Sequence, residues 1–147
     1  MSLKNKLNEN LKQAMKARDV LRLSVVRMVT AAIKNREIER QHELDDQEII
    51  ELMSTLAKQR RESVRLYQEG NRPDLVEKEE AELVVLEEFL PAQLAPDELA
   101  ALVAQVINQI GAVGLKDMGK TMKALAPLVV GKADGKLTSE IVKQQLS

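Results

Sequence analysis

The sequence predicts an all-α protein, a helical N-terminal region followed by a small C-terminal three-helix module. Hydrophobic residues make up 44% of the chain and aromatic residues only 1%. A core built from Leu, Val, Ile, Ala and Met suits packed helices better than sheets. Apolar residues recur at intervals of three and four, the period of one helix face. Capping residues stand where successive periodic stretches begin. At 147 residues the chain suffices for one ordinary domain or two small ones with a buried core.

Taken in order, the first helix opens at Ser2, with Leu3, Leu7, Leu11, Ala14 and Met15 on one stripe. Asp19 caps a second helix running to about Arg40. Its apolar set (Leu21, Val25, Met28, Val29, Ala32, Ile33) covers a wide face and calls for neighbours on more than one side. Gln41–Glu43 is a polar break, and Asp45 with Glu48 has the spacing of a capping box for a third helix ending at Gly70. NRPD then supplies a turn, with Asp74 as the expected cap of a fourth helix. That helix is acidic on one face (Glu77, Glu79, Glu80, Glu82, Glu87, Glu88) and apolar on another.

FLPAQLAP places Pro91 and Pro96 five residues apart. Proline breaks helix interiors and suits first turns, so a domain boundary is expected here, dividing residues 1–92 from 93–147. A fifth helix follows from about Asp97 to Ile110, with Leu99, Leu102, Val103, Val106, Ile107 and Ile110 in clean helical period.

Residues 114–121, GLKDMGKT, match the string G-x-x-x-x-G-K-[ST] of the nucleotide-binding P-loop. That loop works between a strand and a helix. Here the preceding stretch is helical in period, and 26 residues remain after Thr121, too few for the βαβ units such a loop needs. The pattern is read as accidental, the entrance to a sixth helix. Leu115, Met118, Met122 and Leu125 form its apolar side, and Lys116, Lys120 and Lys123 turn away from it. Gly119 costs about 1 kcal/mol relative to Ala inside a helix, which suggests close approach of another backbone, from the protein or a partner. Gly131, Asp134 and Gly135 then form a tight connection flanked by Lys132 and Lys136. Asp134 caps a last helix bearing Leu137, Ile141, Val142 and Leu146. A calcium loop would need acidic residues at alternating positions and a distal Glu, and only Asp134 is available.

Charge is uneven. Residues 1–70 carry a net +3, residues 71–98 a net −7 and residues 99–147 a net +3, so an anionic partner would be met at the ends. The chain has no cysteine, which removes disulfides, thiolate metal sites and Cys nucleophiles. No run approaches the roughly 20 apolar residues needed to span a membrane, and the first residues are too polar for a secretory signal. A cytoplasmic protein, with no membrane partner, is expected.

FLPAQL, GLKDMGKTMKAL and GKADGKLTSEIVKQQL resemble, in that order, the C-terminal tail module of the B subunit of the glutamyl/aspartyl-tRNA amidotransferase. The N-terminal stretch LKNKLNENLKQAMKARDVLRLSVVRMVTAAIKNREIE resembles the free-standing relatives of that module, the YqeY family. Ala95 departs from the pattern, where a small hydroxyl residue is expected to cap the fifth helix. The resemblance implies helices throughout and a three-helix tail. In the amidotransferase, a carbon–nitrogen ligase with glutamine as amido-nitrogen donor, the tail recognises tRNA while other parts do the chemistry.

Catalysis by this chain alone is not expected. Splitting glutamine needs an activated nucleophile, and none is visible. His42, the one histidine, reads as a solvated surface residue. Glu79/Glu80 and Glu87/Glu88 read as a solvated helix face more readily than as an acid–base pair. No cofactor or metal is expected. The candidate site is a nucleic-acid surface of Lys116, Lys120, Lys123, Lys132 and Lys136, with Gly119, Gly131 and Gly135 letting a sugar–phosphate backbone come near. No aromatic residue stands there, so contacts would be to shape and phosphate. Arg60, Arg61 and Arg65 form a second basic cluster. The expected partners are tRNA and an amidotransferase or aminoacyl-tRNA synthetase subunit. The alternative is a helical protein–protein adaptor with no nucleic-acid binding; the acidic fourth helix would suit that role or would serve only to keep the protein soluble.

Overall fold

The structure, a computed structural model, describes residues 2–147. Among them are seven α-helices, one short 3-10 turn and no strand. They form two compact units, the first ending at Pro91 and the second spanning Ala92–Ser147.

Four helices build the first unit: α1 (Leu3–Ala17), α2 (Val20–Arg40), α3 (Asp46–Glu69) and α4 (Pro73–Glu87). Their starts are set locally. The Ser2 and Asp19 side chains accept from the Asn5 and Arg22 N–H groups. Asp45 and Glu48 form the full reciprocal capping box, which satisfies donors that the first turn otherwise leaves without partners. The core is aliphatic, with Leu7, Val26, Val29, Ile49, Met53 and Leu86 all but sealed from solvent. α2 packs against α1, α3 and α4, which accounts for its wide apolar face.

Three local expectations are corrected. Asp74 does not cap α4: Pro73 occupies the first turn, Arg72 stands at the cap without a side-chain bond, and Asp74 pairs with Arg72 at 3.1 Å. Pro73 suits that place because the N–H it lacks would have had no helical partner. Gly70 ends α3 at φ −81°, and Asn71, at φ 55°, takes the left-handed position. Met15 and Leu21 are exposed although Leu7, Ala14 and Val25 are buried, because at about 100° per residue both fall at the edge of their helix's apolar stripe.

The second unit packs α5 (Pro96–Ile110), α6 (Met118–Val129) and α7 (Gly135–Leu146) against one another. Leu99, Val103, Leu125 and Val142 are fully buried between them. Ala95 offers no side-chain acceptor, but Glu98 reaches back to its N–H at 3.1 Å, so half of a capping box survives. Gly111, at φ 68°, ends α5 in the left-handed geometry that glycine adopts without steric cost. Pro127 lies inside the last turn of α6, where its missing N–H and ring crowding limit further helix.

Candidate nucleic-acid interface

The segment that spells a P-loop has no strand before it. A 3-10 turn, Leu115–Asp117, leads into α6. The Asp117 carboxylate accepts from the Val113 N–H at 2.9 Å and closes the loop. Thr121, which would hold magnesium in a nucleotide site, is fully buried, and its hydroxyl donates to the Asp117 carbonyl at 2.9 Å. Its side chain is a core group. Leu115 lies outside the apolar face assigned to it and is exposed; Thr121 takes that place beside Met118, Met122, Leu125 and Val129.

This packing decides where the lysines point. Thr121, Leu125 and Val129 define the buried side of α6, and Lys120 and Lys123 leave from the opposite side, both exposed. Thr138, Ile141, Val142 and Leu146 define the buried side of α7, so Lys136 leaves from its outer side. Lys143 follows two turns later and was missed, although the i, i+7 spacing to Lys136 was readable. Lys132 is exposed in the α6–α7 connection, and Lys116 in the 3-10 turn. The lysines thus lie as two pairs on the outer faces of two different helices and as two single residues in the connections. α6 has no acidic residue. Among the described residues every ion pair lies in the first unit, so none of these ammonium groups is neutralised by a carboxylate. Lys120 alone has an internal contact, 3.5 Å from the Ile110 carbonyl, where it faces the negative end of α5.

The three glycines behave differently. A methyl group on Gly119 or Gly135 would meet nothing within 4 Å, so no approach of the protein's own backbone accounts for either. Gly135 is the first residue of α7, and the special geometry expected of it is absent. Gly131 does take φ 72°, and its carbonyl accepts from the Gln93 side chain. As expected, Asp134 caps α7 through the Leu137 N–H.

The second basic cluster is committed internally. Arg60 lies 3.1 Å from Glu82 and 3.6 Å from Glu79, Arg61 pairs with Glu87 at 3.0 Å, and Arg65 with Glu69 at 3.1 Å. These contacts also correct the freely exposed acidic face of the fourth helix, since Glu79, Glu82, Glu87 and Glu88 all face arginines. His42 is exposed, its Nδ1 2.8 Å from the Glu43 carbonyl and its Nε2 3.8 Å from Glu48. A cleft of about 320 Å³ in the first unit is bordered by Asp46 and Glu88, both already bonded, to the Leu3 N–H and to Arg22.

Fold and surface together define a two-unit, all-helical protein whose C-terminal three-helix module carries unpaired lysines. The chain belongs to the YqeY family: the model described as Yqey-like protein matches residues 4–146. The chain is also similar to yeast proteins named "Altered inheritance of mitochondria protein 41, mitochondrial". The one from Lachancea thermotolerans is 39% identical over 103 residues, covering 69% of this chain and 54% of that protein. The one from Vanderwaltozyma polyspora is 34% identical over 119 residues, covering 76% and 64%. The one from Meyerozyma guilliermondii is 30% identical over 144 residues, covering 86% and 76%. The chain thus spans little more than half of the first of these relatives.

The relatives' designation overturns the cytoplasmic expectation. That expectation rested on the lack of a spanning segment and of a secretory signal, criteria that proteins inside an organelle satisfy equally. No single helix among the described residues is long and apolar enough to cross a membrane, and this says nothing about compartment.

Proposed function

We propose that Ala92–Ser147 is a tRNA-binding module that meets the RNA backbone through Lys116, Lys120, Lys123, Lys132 and Lys136, with Lys143 added from the fold, and serves as an accessory to a tRNA-amidating complex. The observation that carries this reading is the state of the lysines. All six are exposed, none is paired with a carboxylate, and the helix bearing two of them has no acid. Cations left in that state can neutralise phosphates and release counterions. The likeness of the module to the amidotransferase tail supplies the kind of RNA and the setting. The reaction itself is assigned to the complex and not to this chain.

Gel-shift titration of tRNA tests the reading. Wild-type protein should bind at low salt and weaken steadily as salt rises, and a Lys116→Ala/Lys120→Ala/Lys123→Ala variant should lose binding while keeping its helical circular dichroism. Wild-type protein without tRNA affinity at low salt would overturn it. The adaptor reading is weakened because Glu79, Glu82, Glu87 and Glu88 are engaged with arginines, and only Glu77 and Glu80 of that face stay exposed without an ion pair among the described residues. Nuclease-resistant co-purification of one protein partner would restore it.

A further inference from the structure

Both helices that meet at Arg18 expose apolar side chains beside the turn. Met15 stands 54% exposed, Leu21 38% and Val20, beside it, 77%. The turn that holds them is ordered. Arg18 takes φ 56°, its N–H donates to the Met15 carbonyl at 3.3 Å, and the Asp19 N–H donates to the Ala14 carbonyl at 3.0 Å. Asp19 then caps α2 at the Arg22 N–H. Three large apolar side chains are therefore presented at the end of a fixed helical hairpin.

Two cations stand among them. Neither Lys16 nor Arg18 has a carboxylate partner among the described residues. The nearby acids are both engaged, Asp19 by its cap and by Arg22 at 3.7 Å, and Glu88 by Arg22 at 2.7 Å. Apolar side chains interleaved with free cations fit a surface that is anionic outside and apolar just beneath. A second copy fits less well, because a two-fold contact between two such tips would set like charges against each other. An interfacial contact of this kind needs no spanning segment.

We propose that the α1–α2 tip is a membrane-surface anchor: Met15, Val20 and Leu21 enter the headgroup layer of an anionic phospholipid bilayer, and Lys16 and Arg18 meet its phosphates. This is independent of the RNA surface of the other unit.

The chain has no tryptophan, so Val20→Trp in the full chain makes the tip its own fluorescent reporter. Vesicles of phosphatidylcholine, with and without phosphatidylglycerol, are the probe. The expected result is a blue shift of the Val20→Trp emission and co-sedimentation of the wild type only with the anionic vesicles. Lys16→Gln/Arg18→Gln should weaken sedimentation about tenfold or more, and Val20→Gln/Leu21→Gln should abolish it, both with unchanged helical circular dichroism. Failure of the wild type to sediment at low salt overturns the proposal. So does sedimentation with an unshifted Val20→Trp emission, or loss of sedimentation in the Lys116→Ala/Lys120→Ala/Lys123→Ala variant instead of the tip variants. A concentration-dependent dimer that Val20→Gln abolishes assigns the tip to a second copy and likewise overturns it.

Discussion

Arg22 closes on Glu88 with two hydrogen bonds, Nη1 to Oε2 at 2.7 Å and Nη2 to Oε1 at 3.0 Å. This fork ties the first turn of α2 to the residue that ends α4. The hydrogen bonds from Arg22 hold the Glu88 carboxyl below its ordinary value of 4.5, and burial only partly opposes them. Glu37 is held low in the same sense, first by the Lys4 ammonium and then by the Leu44 N–H.

The sign of the pH dependence follows. A carboxyl whose folded pKa is depressed contributes its full stability above the unfolded pKa and loses it as pH falls through the folded value. Glu88→Gln should therefore destabilise at pH 7 by roughly 0.5–1 kcal/mol, the range for an exposed but well-oriented pair. The difference from wild type should be constant down to about pH 5, shrink below 4.5 and vanish in stronger acid. Urea midpoints at several pH values measure this, and a difference that grows on acidification would contradict it.

Arg60 is a different kind of pair. Glu79 and Glu82, on either side of it, are only 17% and 13% exposed. The Glu79 Oε2 atom is buried with no hydrogen-bond donor. Removing the guanidinium strands two carboxylates withdrawn from water, so Arg60→Ala should cost roughly 3 kcal/mol. Glu79→Gln removes a charge that lacks a hydrogen bond and should stay within about 1 kcal/mol of wild type. Denaturant unfolding distinguishes the two, and equal effects would mean that Arg60 acts through packing alone.

Arg60 also marks what the sequence could not convey. Helix starts were legible where one side chain reaches its own first turn, as Ser2, Asp19, Asp45 and Asp134 do, because a cap is a bond across three residues. The pairing of α3 arginines with α4 glutamates joins residues some twenty apart in sequence and depends on how the helices pack. Read alone, those residues look like one free basic patch and one free acidic face. The burial of Thr121 was hidden for the same reason: a hydroxyl enters a core at little cost once its own helix supplies the acceptor, and period counting treats it as polar. Within the candidate site the positions of Lys120 and Lys123 away from the apolar face were legible from spacing. The contact of Lys120 with Ile110 was not.

Gly119 separates stability from binding. It stands in the first turn of α6 with open space where a β-carbon would go. Gly119→Ala should stabilise the second unit by about 0.5–1 kcal/mol through the unfolded chain's entropy. If an RNA backbone comes close at this point, the same methyl group should lower tRNA affinity. A thermal melt and a binding titration on the same sample give both numbers. A variant that is more stable and binds as well as wild type would remove Gly119 from the contact surface while leaving the lysines in place.

Lys120 gives the sharpest test of the phosphate reading, because its competing role is known from the structure. If it serves only α5, by facing the Ile110 carbonyl at 3.5 Å, Lys120→Ala should lower stability by about 0.3–1 kcal/mol and leave tRNA binding unchanged. If its ammonium meets a phosphate, removal should flatten the plot of log affinity against log salt by about 0.7–0.9. Lys143→Ala has no side-chain hydrogen bond or ion pair to lose, only its place in the last turn of α7, so it should flatten the slope while lowering stability by no more than about 0.3–1 kcal/mol. An unchanged slope in both variants would mean that the outer faces of α6 and α7 do not touch RNA, whatever affinity the whole chain displays.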